Sequence, residues 1–404
     1  MIFANPRESR IYLGVACAEA LAHAPLNSLP FEVGAIRDAL HLSASTTGML
    51  ATLELGAYAV TNIIVSPFIH RLPIRRFALV GGSVALLATF LTGFTDNIVV
   101  FGIARALAGA GFGCILGAAS AAGAAALVPE RAYSVGMGVS IIFGIMIPQI
   151  LAHSMRFMNI GPFALLPHSG VFLGIACITA PLIPTMLFLP ERTANPMERQ
   201  IVDPAMRPSR HAVVAAIAVM IFFSVAVFSM YTFIEREGSA LGMDTVQVAN
   251  MLSVAVGLGI MGTVASTWLG CRAGLTIPLV AGLAVQGISC LVTAMCTSSS
   301  QLWLVSIINM ATWYFVFPYI MGLGAALDRS GRLPTAVGAA YVVGSSVAAP
   351  LAGFFVDRGS FLGIGLLSLL LCAASGTFAL CVSRMSSTRT AMPVKRLTSV
   401  AEIH

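Results

Sequence analysis

Again and again along the chain, apolar residues run on for about twenty positions, which at 1.5 Å per residue is enough to cross roughly 30 Å of hydrocarbon as a helix. Twelve such runs fall at residues 11–33, 44–68, 76–93, 98–127, 135–157, 168–189, 211–234, 247–269, 275–296, 301–326, 335–356 and 361–383. Backbone polar groups in lipid must be paired internally, so only helices or closed barrels can span. A barrel strand would alternate in polarity over about ten residues, whereas GIGLLSLLLCAASGTFALCV, from Gly363, has no such alternation. The composition agrees: 58% of the 404 residues are hydrophobic and 9% are charged, against roughly a quarter charged in an ordinary soluble domain. The expected fold is an all-α integral membrane protein of twelve transmembrane helices, with the lipid bilayer as its solvent.

The net charge of +6 would suit nucleic acid in a soluble protein, but here the basic residues sort by side. Threading the helices alternately leaves Arg37, Arg156, Arg236 and Arg358 on one side and Arg105 within a helix; the remaining arginines and Lys395 share the other side. The positive-inside rule places that side, with both termini, in the cytoplasm of a cell (inner) membrane. No nucleic-acid partner is expected. Ala20-Leu21-Ala22 has the small residues of a leader-peptide cleavage site, but Glu19 breaks the apolar stretch before it, so the first run reads as a retained helix. Cysteines such as Cys17, Cys114, Cys290 and Cys372 stand singly in apolar runs, without metal-binding spacing; no metal and no cofactor is expected.

Between the sixth and seventh runs lies LPERTANPMERQIVDPAMRPSRH, rich in proline and charge and lacking apolar periodicity. It divides the chain into a six-helix bundle at 1–189, a cytoplasmic linker at 190–210 and a second six-helix bundle with its tail at 211–404. The bundles resemble diverged copies. SPFIHRLPIRRFALVGG from Ser66 and STWLGCRAGLTIPLVAG from Ser266 follow the second run of each half, and Gly138, Gly144 and Pro148 are echoed by Gly338, Gly344 and Pro350 at an offset near 200. Repeated six-helix halves are a transporter architecture with a midplane site between them.

These features resemble the major facilitator superfamily over essentially the whole chain. SPFIHRLPIRR is similar to the family's loop between helices two and three, a glycine and an aspartate followed by a basic cluster; here it supplies His70, Arg71, Arg75 and Arg76 as candidate gating residues. His70 stands where the motif has aspartate and Pro73 where it has its second glycine. RALAGAGFG from Arg105 resembles the arginine-and-glycine motif of helix four in proton-linked members, while Ile147 before Pro148 departs from the glycine-proline pattern of antiporters. The resemblance implies that helices one, four, seven and ten line a central cavity and that helices one, two and four are neighbours.

An ionisable group in mid-membrane costs roughly 2.5–3.5 kcal/mol even on the lenient insertion scale, so each must be paired, hydrated or neutralised. Helix one carries Glu19, His23 and Asn27 at a spacing of four, helix two carries Glu54, Tyr58 and Asn62 at the same spacing, and helix four carries Arg105. Counting rise per residue puts Glu54, Arg105 and His23 at similar depth, roughly 10–15 Å. Burial disfavours a charged acid and a nearby arginine favours it, so a moving cluster can load and release a proton. Glu19, His23, Glu54 and Arg105 are therefore the candidates for proton coupling, with a static network that fixes helix packing as the competing reading. Asn27, Tyr58, Arg105, Tyr231, Asn309 and Trp313 are the candidate solute contacts, and Glu235 is expected at an exposed mouth.

Gly257, Gly259 and Gly262 spell GxGxxG inside an apolar helix with no strand before it, so close helix contact explains them better than a nucleotide does. Gly109, Gly113 and Gly117 form a similar smooth face. No Walker sequence, HExxH or GxSxG occurs, and the chain is not read as an enzyme. The expectation is a monomeric secondary transporter of a small organic solute, coupled to protons and working by alternating access. Multidrug efflux by proton antiport, uptake of an organic acid through Arg105, and an uncoupled facilitator are the rivals within the class. A membrane-embedded enzyme or sensor is the remote one.

Overall fold

The computed structural model of the chain describes residues 6–66, 68–126, 129–158, 166–192, 209–270, 272–328 and 332–390. The helices are α1 (Pro6–Ala22), α2 (Ala24–Leu40), α3 (Ala44–Val65), α4 (Ile74–Thr92), α5 (Ile98–Ala124), α6 (Pro129–Met158) and α7 (Ser169–Leu182) in the first half. The second half has α8 (Arg210–Thr232), α9 (Ile234–Ala240), α10 (Thr245–Leu269), α11 (Thr276–Thr293), α12 (Ser299–Leu327), α13 (Arg332–Val356) and α14 (Phe361–Thr390). No strand occurs among the described residues. Most of the expected linker and the tail beyond Thr390 lie outside them.

Among the described residues, eleven spans are long and apolar enough to cross a membrane. The first expected helix is the exception, because it divides at His23 into α1 and α2. Pro25 has no N–H to give to the carbonyl one turn back, and a proline ring inside a helix displaces that turn. The chain nevertheless keeps its course, since the His23 N–H reaches the Glu19 carbonyl and the Asn27 N–H reaches that of His23, both at 3.1 Å. A second break, at Phe233, separates α8 from α9. Several of the helices that begin on the side away from the termini are capped by their own side chains. Ser43, Asn97 and Ser298 accept backbone N–H bonds at the starts of α3, α5 and α12, and Asp244 with Gln247 forms a capping box on α10.

Small residues set the packing inside each half. A Cβ on Gly109 of α5 would lie 1.9 Å from the Glu54 carbonyl oxygen of α3, and one on Gly262 of α10 would lie 1.8 Å from that of Ala311 on α12. Backbones approach this closely only across glycine. Val60, Ile63, Ile64, Leu87, Val99 and Ile103 stay exposed on the outside, where apolar side chains suit lipid.

The two six-helix bundles are joined by bonds at the ends away from the termini. Asp357, just past α13, accepts from the N–H groups of Ala44 and Ser45 at 2.6 and 2.9 Å, and from the Ser45 hydroxyl. Thr52 donates to the Ser346 carbonyl at 2.6 Å. Gln149 of α6 donates to Asn250 and Ser253 of α10 at 2.9 and 3.1 Å. Arg236 pairs with Asp38 at 2.7 Å and donates to the Gly34 carbonyl. Glycine again allows the approach: a Cβ on Gly48 would stand 2.6 Å from the Ala349 carbonyl oxygen.

Candidate functional site

A narrow cavity of about 60 Å³ lies between the halves, walled by His23, Asn27, Met137, Ser140 and Ile141 on one side and by Trp313, Tyr314, Phe317 and Tyr341 on the other. An adjoining space of about 30 Å³ shares His23, Asn27, Trp313 and Tyr341, and adds Phe228 and Tyr231 of α8. The second-half wall is an aromatic box. Trp313 and Tyr341 stack at 6.3 Å between ring centroids with 15° between planes. Phe317 and Phe228 meet Tyr341 edge-on at 5.3 and 5.5 Å. The Tyr231 hydroxyl crosses the interface to donate to the Asn27 carbonyl at 3.2 Å. Among the expected solute contacts, Asn27, Tyr231 and Trp313 thus lie on the cavity.

Three others do not line it. Asn309, although on the same helix as Trp313, turns to α11, where its oxygen accepts from Gln286 at 3.0 Å and its nitrogen faces Ser289 and Cys290, each at 3.3 Å. The two residues are four apart, yet the amide is held by polar partners in the bundle interior. Tyr58 is buried in the first half. Arg105 is sealed, 1% exposed.

Arg105 organises a second site, inside the first bundle. Its Nη1 lies 3.2 Å from Oε1 of Glu54 and 3.8 Å from Oε2 of Glu32. Its Nε and Nη2 donate to the Thr92 hydroxyl at 3.2 and 2.9 Å, and its guanidinium carbon sits 4.5 Å from the centre of the Phe172 ring. Ser28 donates to Glu32. All three charged side chains are buried. Two acids share one guanidinium, a charge of −1 when both are ionised and zero when one holds a proton.

Sequence reasoning expected Glu19 and His23 beside Arg105, and the structure separates them. His23 donates from Nδ1 to the Glu19 carbonyl at 2.7 Å, and the Glu19 carboxylate stands 3.9 Å from the same nitrogen. Both acids are on the first run, but thirteen positions do not make a whole number of helical turns, so Glu19 and Glu32 face different ways. Glu32 was missed because it falls at the end of an apolar run, where an acid reads as a boundary. The signal that could have found it is Ser28, four residues earlier, which starts a second polar stripe beside that of Asn27. Glu235, expected at an exposed mouth, is buried against Gly34 and pairs with Arg236 at 3.4 Å. Its position is set by the closed interface between the halves.

Of the expected gating residues, Arg75 donates to the Leu189 carbonyl at 2.9 Å and Arg76 pairs with Glu191 at 3.8 Å, both within the first half. Arg71 also makes a contact. The His70 side chain lies outside the described residues. Gly257, Gly259 and Gly262 pack against Ile145, Tyr314 and Ala311, as helix contacts rather than a nucleotide loop.

No curated protein sequence matches the chain. Solved structures do. The chain is similar to the transporter FucP in the outward conformation, at 16% identity and a TM-score of 0.62, over 95% of this chain and 99% of that one. It is also similar to a bacterial homolog of the human lysosomal transporter Spinster, inward-facing and unoccupied, at 12% identity and a TM-score of 0.71, over 95% and 98%. A further FucP structure, described as the E. coli fucose:proton symporter, matches at 16% identity and a TM-score of 0.59, over 92% of this chain and 97% of that one. These likenesses establish the fold of two six-helix halves. The model of the Major Facilitator Superfamily matches residues 15–338, and the chain belongs to that family of membrane transporters.

Proposed function

We propose that the chain moves a small organic solute across the cell inner membrane by alternating access, as a monomer with both termini in the cytoplasm, and that proton binding by Glu32 or Glu54, the two acids that share Arg105, drives the cycle. The six-helix halves divide at the 190–210 linker. The observation that carries the reading is the two-to-one ratio of acids to base in a dry pocket made by α2, α3 and α5. Glu32 and Asn27 lie on the same helix, so a change of charge at the trio has a direct mechanical route to the cavity wall. Glu19 and His23, on the other side of the His23 break, form a second proton-responsive pair closer to the solute. On this orientation the bonds between Asp357 and Ser45 and between Arg236 and Asp38 close the outer face.

The uptake of an organic acid has lost its anchor, because Arg105 is committed to the trio; efflux of a weakly polar solute suits the aromatic box better. The family resemblance of the Arg105 motif and the fucose:proton coupling of one structural relative point the same way for the proton.

The test is a thermal-shift screen to find a solute, since a ligand that binds only the folded state raises its stability, followed by flux into proteoliposomes with a luminal pH dye. Coupling predicts a luminal pH change with the wild type and none with Glu32→Gln or Glu54→Gln, while both variants retain solute exchange. Wild-type flux without any pH change would make the protein a facilitator and overturn the reading.

A further inference from the structure

The cavity wall carries information about what it holds, and three of its features are independent of one another. The first is the sign of its charge. Among the described residues no arginine or lysine lines the cavity, and Arg105 is sealed behind two acids. Glu19 instead stands one helical turn behind His23, its carboxylate 3.9 Å from the imidazole. Because a carbonyl only accepts, His23 must donate from Nδ1 to the Glu19 backbone oxygen at 2.7 Å, which leaves Nε2 of the neutral ring as an acceptor. The first-half wall therefore offers acceptors backed by a carboxylate.

The second feature is the opposite wall. Trp313, Phe228 and Phe317 each place a ring 5.3–6.3 Å from that of Tyr341, a surface that attracts cations through the ring quadrupole and takes flat apolar bodies by stacking. The third is a pair of buried polar atoms without partners, Nε1 of Trp313 and Oγ of Ser140. Buried donors ordinarily find an acceptor, and both residues line the cavity. With His23, Asn27 and the hydroxyls of Tyr314 and Tyr341 they are separate polar points on a wall that is otherwise apolar.

Resting on the transport reading above, we infer that the solute is an organic cation with a flat, largely apolar body, whose positive end faces His23 and Glu19 while its ring system lies against Trp313 and Tyr341. An aromatic acid would meet the Glu19 carboxylate behind His23 and, among the described residues, no arginine or lysine. A sugar would lay its hydroxyls against a wall made mostly of aromatic and aliphatic side chains.

The probe is N-methylquinolinium, compared with 2-naphthoate, which has the same ring size and the opposite charge, and with glucose. Binding is measured by equilibrium dialysis of purified full-length protein in nanodiscs, without a proton gradient, so that failure of proton coupling leaves the measurement intact. We expect N-methylquinolinium to bind at least tenfold more tightly than 2-naphthoate and glucose to be undetectable. Trp313→Ala and Glu19→Gln should each weaken the cation about tenfold or more, with Trp313→Phe losing less. Size-exclusion profile and thermal midpoint identify any variant that has simply failed to fold, and for such a variant the probe ranking of the wild type decides. Equal or tighter binding of 2-naphthoate or glucose, or cation binding indifferent to both Trp313→Ala and Glu19→Gln in folded protein, overturns the inference.

Discussion

Arg105 and Asn309 occupy corresponding places, on the fourth run of the first half and the fourth run of the second, about 200 residues apart. Each reaches from its helix to polar side chains on neighbouring helices. Arg105 finds Thr92 on α4 and the acids Glu32 and Glu54; Asn309 finds Gln286 and Ser289 on α11. One half has thus put formal charge where the other keeps neutral amides and a thiol. Both arrangements fasten helix to helix, but only the first can change its charge. The same asymmetry reaches the cavity, where the first half supplies His23 and Asn27 and the second supplies rings. On the transport reading proposed, the first half titrates and the second shapes the surface that meets the solute.

The largest effect expected from this contrast is on stability. Arg105→Gln leaves two buried acids without their counter-ion, a change that typically costs about 3–5 kcal/mol. Asn309→Ala breaks neutral bonds and leaves Gln286, whose Oε1 already lacks a partner, at a cost of about 1–3 kcal/mol. Thermal unfolding of the two variants in the same detergent compares them directly. Equal losses would mean that the charged trio is only packing, and the distinction between the halves would fail.

Next in size is the separation of proton response from solute transport. Glu32→Gln and Glu54→Gln should flatten the pH dependence of flux by an order of magnitude or more at its steepest point, whereas Gln286→Leu should leave the profile where it was, even if it lowers the overall rate. The measurement is flux against pH in proteoliposomes at fixed membrane potential. A Gln286→Leu profile as flat as that of Glu32→Gln would move the proton site into the second half or out of the interior altogether.

How far the sequence reveals this asymmetry differs from residue to residue. The helices were legible because hydrocarbon thickness fixes run length, and the six-and-six plan because the echoes at Ser66 and Ser266, and at Pro148 and Pro350, share an offset. His23, Asn27, Tyr231 and Trp313 could be placed near the cavity from spacing and the family's helix order. Glu32 could not, because an acid at the end of a run looks the same whether it meets headgroups or turns inward to an arginine. Asn309 was misdirected for a related reason. Polar residues inside an apolar helix must find partners, but the sequence does not say whether those partners are a solute or the neighbouring helix, and Gln286 lies more than twenty residues away in the chain. The break at His23 was carried by Pro25 all along, yet prolines inside membrane helices are common enough that one alone does not announce a break.

Glycine offers a third comparison, between a closed seam and an open face. Gly48 and Gly353 lie where α3 and α13 cross, and a Cβ at either would stand 2.6 or 2.5 Å from a carbonyl oxygen of the other half. Gly138 and Gly338, the first pair of the repeat, have nothing within 4 Å and a single methyl at 3.9 Å respectively. Gly48→Val or Gly353→Val should force the seam apart, raising the labelling rate of a cysteine introduced at Ser346 several-fold. Gly138→Ala and Gly338→Ala should stay within about 0.5 kcal/mol of the parent in stability and leave labelling unchanged. Labelling that responds equally to all four substitutions would show that the seam is not what holds this conformation.

The smallest effect belongs to Asp357, an exposed acid at the seam between the halves. Partial burial pushes its carboxyl upward, but the Ser45 hydroxyl, the N–H groups of Ser45 and Ala44, and the charge of Arg37 together outweigh this and hold it below the ordinary carboxylate value. Arg358 next to it is turned aside over the Phe354 ring. A depressed acid lends its stabilisation in full above the ordinary range and loses it as pH falls through the lowered value. The contact is solvent-exposed, so screening keeps it to a fraction of a kcal/mol. Asp357→Asn should therefore raise seam opening about two- to threefold at pH 7, read by the same cysteine at Ser346, and by the same factor at pH 6 and pH 8. The difference between variant and parent should shrink only in strong acid. Any pH dependence of transport near neutrality then has other sources, among them Glu32, Glu54, Glu19, His23 and the buried Glu235 and Glu237. A neutral-range pH profile that moved with Asp357→Asn would relocate the proton switch from the interior of one half to the interface between them.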